Sequence, residues 1–317
     1  MEEVRIPNRA TYSPVSLTDV IVAAPLVSRL LLGATLPGRV LQLAALGAYA
    51  GSVMKDWARR QSVRKIDFLR EFGADVYRFE PMPEDARRQE VRILVERLND
   101  GYVPGRIRRR ELARLVDWHL TDYIAGITGQ RVRTSTQVRG FMLAQLFFPF
   151  AVGACDVLSG DIALFRDTGV FEPHVIAHEF CHRKGYLKEL EAQALAYLAL
   201  AASGEPLLVQ SALCERLHRD LRVLAGDDAR RFQVLVERSG LRRELARAFL
   251  AFRPEPGTLL GPVASFMRSA YDARMRLTGQ NGLSDYDFGF TSFLYTFERS
   301  TTARQAPPPA GTVWARS

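Results

Sequence analysis

Apolar residues recur three and four positions apart along most of the chain, the spacing that gathers them on one face of an α-helix. Leu112, Leu115, Val116 and Leu120 show it within 108–127. Residues 55–72, 85–99 and most of 173–298 read the same way. Pro81, Met82, Pro83 and Glu84 form a turn that opens the 85–99 helix, and 101–105 is a loop bounded by glycines. One stretch breaks the rhythm. Residues 134–165 read as extended, with 156–165 as the best strand, and Asp167, Thr168 and Gly169 follow as a turn. The pattern predicts a mainly α protein with a small β-sheet, an α+β class.

The two ends differ from the middle. Residues 1–16 read as an irregular tail, and 301–317, with Pro307, Pro308 and Pro309, as a disordered one. Between them, 17–54 holds two apolar helices, 55–133 is a helical region and 134–300 forms a further domain. The apolar stretches are 19–36, which contains Pro25 and Arg29, and 40–54, which contains Gln42. A membrane span takes about 20 apolar residues, and an arginine near its middle is costly in lipid. Pro37, Gly38 and Arg39 break the helical pattern between the two stretches. Lys55, Arg59, Arg60, Arg64, Lys65 and Arg70 follow, and cations beside an apolar segment favour the cytoplasmic side of a membrane. Two readings stay open: a hairpin that contacts a membrane through 17–54, and a hairpin packed on the main domain. Residues 1–13 lack the basic stretch and apolar run of a signal peptide. A third apolar run, 140–155, contains Pro149 and reads as buried core.

Composition narrows the classes further. With 47% hydrophobic and 25% charged residues in 317, the chain has material for a core and is not wholly disordered. Three cysteines exclude a disulfide scaffold and a four-thiolate zinc site. The formal net charge is +8, carried by 39 arginines and four lysines. Arg106, Arg108, Arg109, Arg110 and Arg114 can touch phosphate, but they lack the interleaved aromatics of a nucleic-acid interface. They read as a solvated helix face, and no nucleic-acid partner is expected.

The chemistry concentrates in His178, Glu179, Phe180, Cys181 and His182, an HExxH motif. Residues four apart share one helix face, so two neutral imidazoles can bind one Zn²⁺. The glutamate beside the first histidine can take a proton from a water on the metal, whose pKa zinc lowers towards about 7. Pro173 suits the first turn of such a helix, and Gly185 suits its end. A second helix over 187–201 then supplies a third ligand. Glu189 and Glu191 lie about 200° apart around it, so only one can easily reach the metal. Glu189 is preferred, with Gln193 one turn later holding a ligand histidine in place; Glu191 is the alternative. His174 reads as a surface residue at the helix start, and Cys181 as a small core residue. His119 and His218 have no identifiable partners.

The run from His178 to Gly185, followed by Glu189, Leu190, Glu191, Ala192 and Gln193, resembles a bacterial family of uncharacterised, membrane-anchored zinc metallopeptidases of the gluzincin-like HExxH clan. The family pattern is HExxH, two residues, Gly, then ExEAN, with Gln193 here in place of Asn. Phe147, Phe148, Pro149 and Phe150 upstream also resemble it. So do Tyr271, Asp272, Ala273, Arg274 and Met275 with Gly279, Gln280, Asn281, Gly282 and Tyr286 downstream. The likeness covers about 134–298. It implies a zincin-like arrangement of the HExxH helix and a following Glu-bearing helix, and amino-terminal membrane helices over 19–54. It also implies a strand beside the motif, for which 156–165 is the candidate, that pairs with an extended peptide. An oxyanion donor is implied too, for which Tyr271 and Arg274 are the candidates.

These observations converge on a zinc-dependent metallopeptidase with one Zn²⁺ per chain. His178, His182 and Glu189 are its ligands, Glu179 its base and a peptide or protein its substrate. Association with a bacterial inner membrane is expected, and a cytoplasmic protein otherwise. The alternative is a non-catalytic zinc protein, membrane-associated, with a structural or interaction role. A basic surface-binding protein is a third reading.

Overall fold

The computed structural model describes residues 1–8, 35–140, 151–156, 159–226, 228–252 and 286–300, with seven single positions between 269 and 282. Within these residues the protein is mainly helical with two small sheets.

Helix α1 (Leu36–Gln61) begins where the sequence pattern predicts a break. Pro37 lies in its first turn, where a missing N–H has no intrahelical partner to lose. The helix then runs through Met54, joining the second apolar stretch to the basic one. The break falls after it, and Phe68–Phe72 forms a separate short helix, α2, capped by the Asp67 carboxylate and closed by Gly73. No helix among the described residues is long and apolar enough to cross a membrane. Most of the first apolar stretch, 19–34, lies outside the described residues, as do 141–150 and 301–317.

Helices α3 (Glu84–Asp100) and α4 (Arg109–Thr128) fall within a residue of the periodicity. The amino-terminal tail does not stay irregular. Glu2–Arg5 forms β1, parallel to β2 (Gln130–Arg133). Val4, Ile6, Val63 and Val132 form a small apolar cluster beneath this pair, which gives the tail a reason to order. The second sheet has β5 (Ile162–Leu164) between β3 (Arg139–Gly140), to which it is parallel, and β4 (Gly153–Cys155), to which it is antiparallel. The single strand predicted over 156–165 is therefore shorter. Asp156 and Asp161 close a turn, with Gly160 in the left-handed region at φ 73°, and the chain folds back onto β4.

Six further helices complete the described fold: α5 (Glu172–Arg183), α6 (Glu189–Ala201), α7 (Pro206–Ala225), α8 (Ala229–Arg238), α9 (Arg243–Ala251) and α10 (Tyr286–Arg299). From Ala192 to Ala201 every residue of α6 is buried. A helix buried on all sides belongs at the centre of a bundle, and α4, α5, α7 and α10 pack around this one. Its alanines at 192, 194, 196 and 199 keep those neighbours close.

Charges are buried as well. Arg216 on α7 pairs with Glu90 on α3 and with Glu298 on α10 at 2.6 Å, and bonds the Tyr197 hydroxyl on α6 at 3.0 Å. Arg87 on α3 pairs with Asp220 on α7 and donates to Thr291 on α10 at 2.6 Å. Deleting one partner of such a set leaves a charge in a poorly solvating interior. Arg216→Ala is expected to lower unfolding free energy by about 3–5 kcal/mol, read from urea denaturation.

His218 sits among Phe171, Phe232, Phe249 and Phe252, and neither ring nitrogen has a hydrogen-bond partner among the described residues. Burial holds its pKa down at about 3. The unfolded chain therefore binds a proton that the folded chain refuses, and stability falls as pH drops from about 6.5 towards 3. His218→Phe is expected to flatten the acid side of the pH–stability curve, measured as urea midpoints between pH 4 and 7. An unchanged slope would remove His218 as a source of acid lability.

Candidate metal centre

Helix α5 is set up by Pro173 in its first turn and ends at Arg183, and the next residues reverse the chain sharply. Gly185 lies at φ 100°, and a Cβ there would come within 2.6 Å of the Lys65 ammonium and 2.8 Å of the Arg60 carbonyl. Only glycine meets both demands. The reversal lays the first turn of α6, which carries Glu189, against the face of α5 that carries His178 and His182.

Three atoms converge there. His178 Nε2 is 3.2 Å from Glu189 Oε2 and 3.1 Å from His182 Nε2, and His182 Nε2 is 3.5 Å from Glu189 Oε2. Ligand atoms on a tetrahedral zinc ion, with bonds of about 2.0–2.1 Å, stand roughly 3.3 Å apart. The triangle has the dimensions of one face of that tetrahedron, so this group can hold a metal ion. His182 Nδ1 lies 2.7 Å from the Tyr186 carbonyl oxygen. A carbonyl only accepts, so Nδ1 carries a proton and Nε2 is the atom left to ligate a metal. The Glu189 backbone N–H is held by the Gln280 side-chain oxygen at 2.8 Å.

The electrostatics follow from the crowding. Burial opposes the imidazolium of His182, but the Glu189 carboxylate outweighs it and pushes that pKa up to about 9. Burial also works against the Glu189 carboxylate, yet His182 and His178 hold its pKa well below the usual range. His182 and Glu189 hold a proton between them, and metal binding at such groups displaces it. Glu179 is buried beside them. Burial raises its pKa, its Oε2 has no hydrogen-bond partner among the described residues, and its Oε1 faces Gly153 of β4.

Other sequence-predicted residues lie elsewhere. Glu191 is outside the convergent group and pairs with Lys188 at 3.4 Å, as its position across the helix from Glu189 requires. Gln193 does not hold a ligand histidine. Its amide donates to Glu215 at 2.7 Å and accepts from the Tyr286 hydroxyl at 2.8 Å, because that part of α6 faces α7 and α10. The carbonyl of Tyr186 takes the orienting role for His182. Backbone carbonyls leave no mark in a sequence, so only the turn at Gly185 hinted at it. His174 is buried, not at the surface, with its pKa lowered to about 4 by burial. Tyr271 and Arg274 lie outside the described residues.

The fold and this site together define a helical protein with a candidate His–His–Glu metal centre. Residues 168–295 are similar to a family described as a protein of unknown function, DUF3810, and the match contains all three converging side chains. No curated protein and no solved structure matches the chain.

One divalent metal ion per chain is expected by elemental analysis. It should be lost in His182→Ala and in Glu189→Ala and retained in Glu191→Ala. Retention in Glu189→Ala would dismiss the triangle as the binding group.

Proposed function

We propose that the protein is a zinc-dependent metallopeptidase. The observation that carries this reading is the Glu179 carboxylate, buried beside a three-membered ligand group with one oxygen unpartnered among the described residues. Catalytic zinc sites use three protein ligands and keep a fourth position open, whereas structural ones close it. Among the described residues the group has three members, which favours the catalytic reading over a non-catalytic zinc staple.

His178, His182 and Glu189 would hold the ion. Bound there, zinc supplies a Lewis acid and a water acidic enough to be used at neutral pH. Glu179 Oε2 would serve as the base that accepts a proton and passes it to the leaving amine. Burial suits it to both tasks, because a raised carboxyl pKa brings the accepting and donating forms closer in energy near neutral pH. The Tyr186 carbonyl keeps His182 in the tautomer that presents Nε2 to the ion.

The strand that would pair with an extended peptide is β4. Its neighbour β5, from the 156–165 stretch, already has a strand on each side. β4 is an edge of the described sheet and packs on α5 through Gly153 beside Glu179. Main-chain pairing there binds a peptide with little sequence preference. Tyr271 remains the proposed oxyanion donor, from the family resemblance. Membrane contact through 17–54 also belongs to this reading, on the residue pattern alone.

Glu179→Gln is expected to keep the metal and lower turnover of a fluorogenic peptide library by about 10²-fold or more. Unchanged turnover would remove Glu179 as the base. Loss of the metal in that variant would make the residue structural.

A further inference from the structure

A cavity of about 780 Å³ opens where β1, α4 and β2 meet, and none of its lining residues belongs to the metal centre. Four arginines line it: Arg5 from β1, Arg114 from α4, and Arg131 and Arg133 from β2. The strand register puts Arg5 directly opposite Arg133. Like charges opposed across a ladder repel, and an anion between them relieves that. The acids nearby do so only in part. Asp122 pairs with the half-buried Arg131 at 2.7 Å, and Glu3 with Arg133 at 3.3 Å at an exposed position. Asp117 is occupied from within, by the buried Lys184 ammonium at 2.7 Å. Arg5 and Arg114 make no ion pair among the described residues.

The same wall carries Trp118, a residue 58% exposed whose ring meets His119 edge to face at 4.5 Å. A large apolar ring left in water beside free cations is a surface on which a flat ligand ring can stack. The walls are anchored. Lys184 also bonds the Thr121 hydroxyl at 2.8 Å, and Arg183 donates to the Ser135 carbonyl at 2.6 Å, so the end of α5 holds the cavity floor. A pre-formed concave site of several hundred Å³ suits a small molecule.

We infer that this cavity binds a small phosphate-bearing anion with an aromatic ring, a ligand of the nucleotide class. The phosphates lie between Arg5, Arg114 and Arg133, whose planar forks match phosphate oxygens. The ring stacks on Trp118.

The test is calorimetric titration of the full chain, stripped of metal by chelator, with ATP and separately with pyrophosphate. ATP is expected to bind, and more weakly as salt rises. Arg114→Ala should weaken it about tenfold or more, the loss that goes with one charge-assisted contact. Trp118→Ala should weaken ATP and leave pyrophosphate unchanged. Both side chains are exposed, so unchanged urea midpoints will show that the variants fold. Failure of ATP to bind at about 1 mM in low salt, a thermodynamically negligible affinity, would overturn the proposal. So would equal affinity in Arg114→Ala. Equal effects of Trp118→Ala on both ligands, or none on either, would overturn the nucleotide assignment. Binding that appears only in metal-loaded protein would place the ligand on the metal centre and overturn the cavity site.

Discussion

The reversal at Gly185 is the constraint on which the site depends. A left-handed backbone there turns α6 back on α5, and the missing side chain lets the Arg60 carbonyl and the Lys65 ammonium close over it. Lys65 donates to the Gly185 carbonyl at 2.6 Å, which locks the turn to the end of α1. Any Cβ would have to displace backbone as well as side chain. The angle between α5 and α6 follows from this contact, and with it the distance from Glu189 to the two histidines.

What the turn brings together is held by charge. Within the partly buried triangle, His182 and Glu189 shift in opposite directions because each stabilises the other's charged form. The residues just after the motif complete the arrangement. Arg183 and Lys184 sit at the carboxyl end of α5, where cations are favoured by the helix dipole. Both are buried and reach the Ser135 and Val132 carbonyls of the neighbouring chain segment. Helix α5 is thereby fixed at one end to the strand β2 and at the other, through Glu172 and Arg109 at 2.5 Å, to α4.

The remaining bundle is ordered around α6 and α7 by a different balance. The first is buried on all sides from Ala192 onward and apolar there but for Gln193 and Tyr197. The second carries Arg216 and Asp220 into the interior and the half-buried Arg219 beside them, and each is matched by a carboxylate or guanidinium from another helix. Such pairs add less stability than apolar packing would, but a mismatched register leaves a charge unpaired and is heavily penalised.

Helix positions such as 84–100, 109–128 and 172–183 follow from periodicity because local spacing decides which face can be buried. The convergence of His178 and His182 follows from the four-residue step of a helix, and the angle between Glu189 and Glu191 says that only one of them can join; which one is decided by how α6 lies on α5. Contacts between distant segments did not follow. β1 forms only because Gln130–Arg133 lies beside it, and four residues with one strong apolar position carry no strand signal of their own. Gln193, on the same face as Glu189 by counting, is claimed by Glu215 and Tyr286 from helices far along the chain. His174 and His218 read as surface or orphan residues, yet packing buries both. The cavity arginines come from three elements whose adjacency no local pattern encodes. Sequence alone determined what repeats within a turn or two of helix, since those neighbours are set by covalent geometry. Tertiary structure decided which carbonyl orients His182 and where the buried charges find partners, since those distances exist only after the chain has closed on itself.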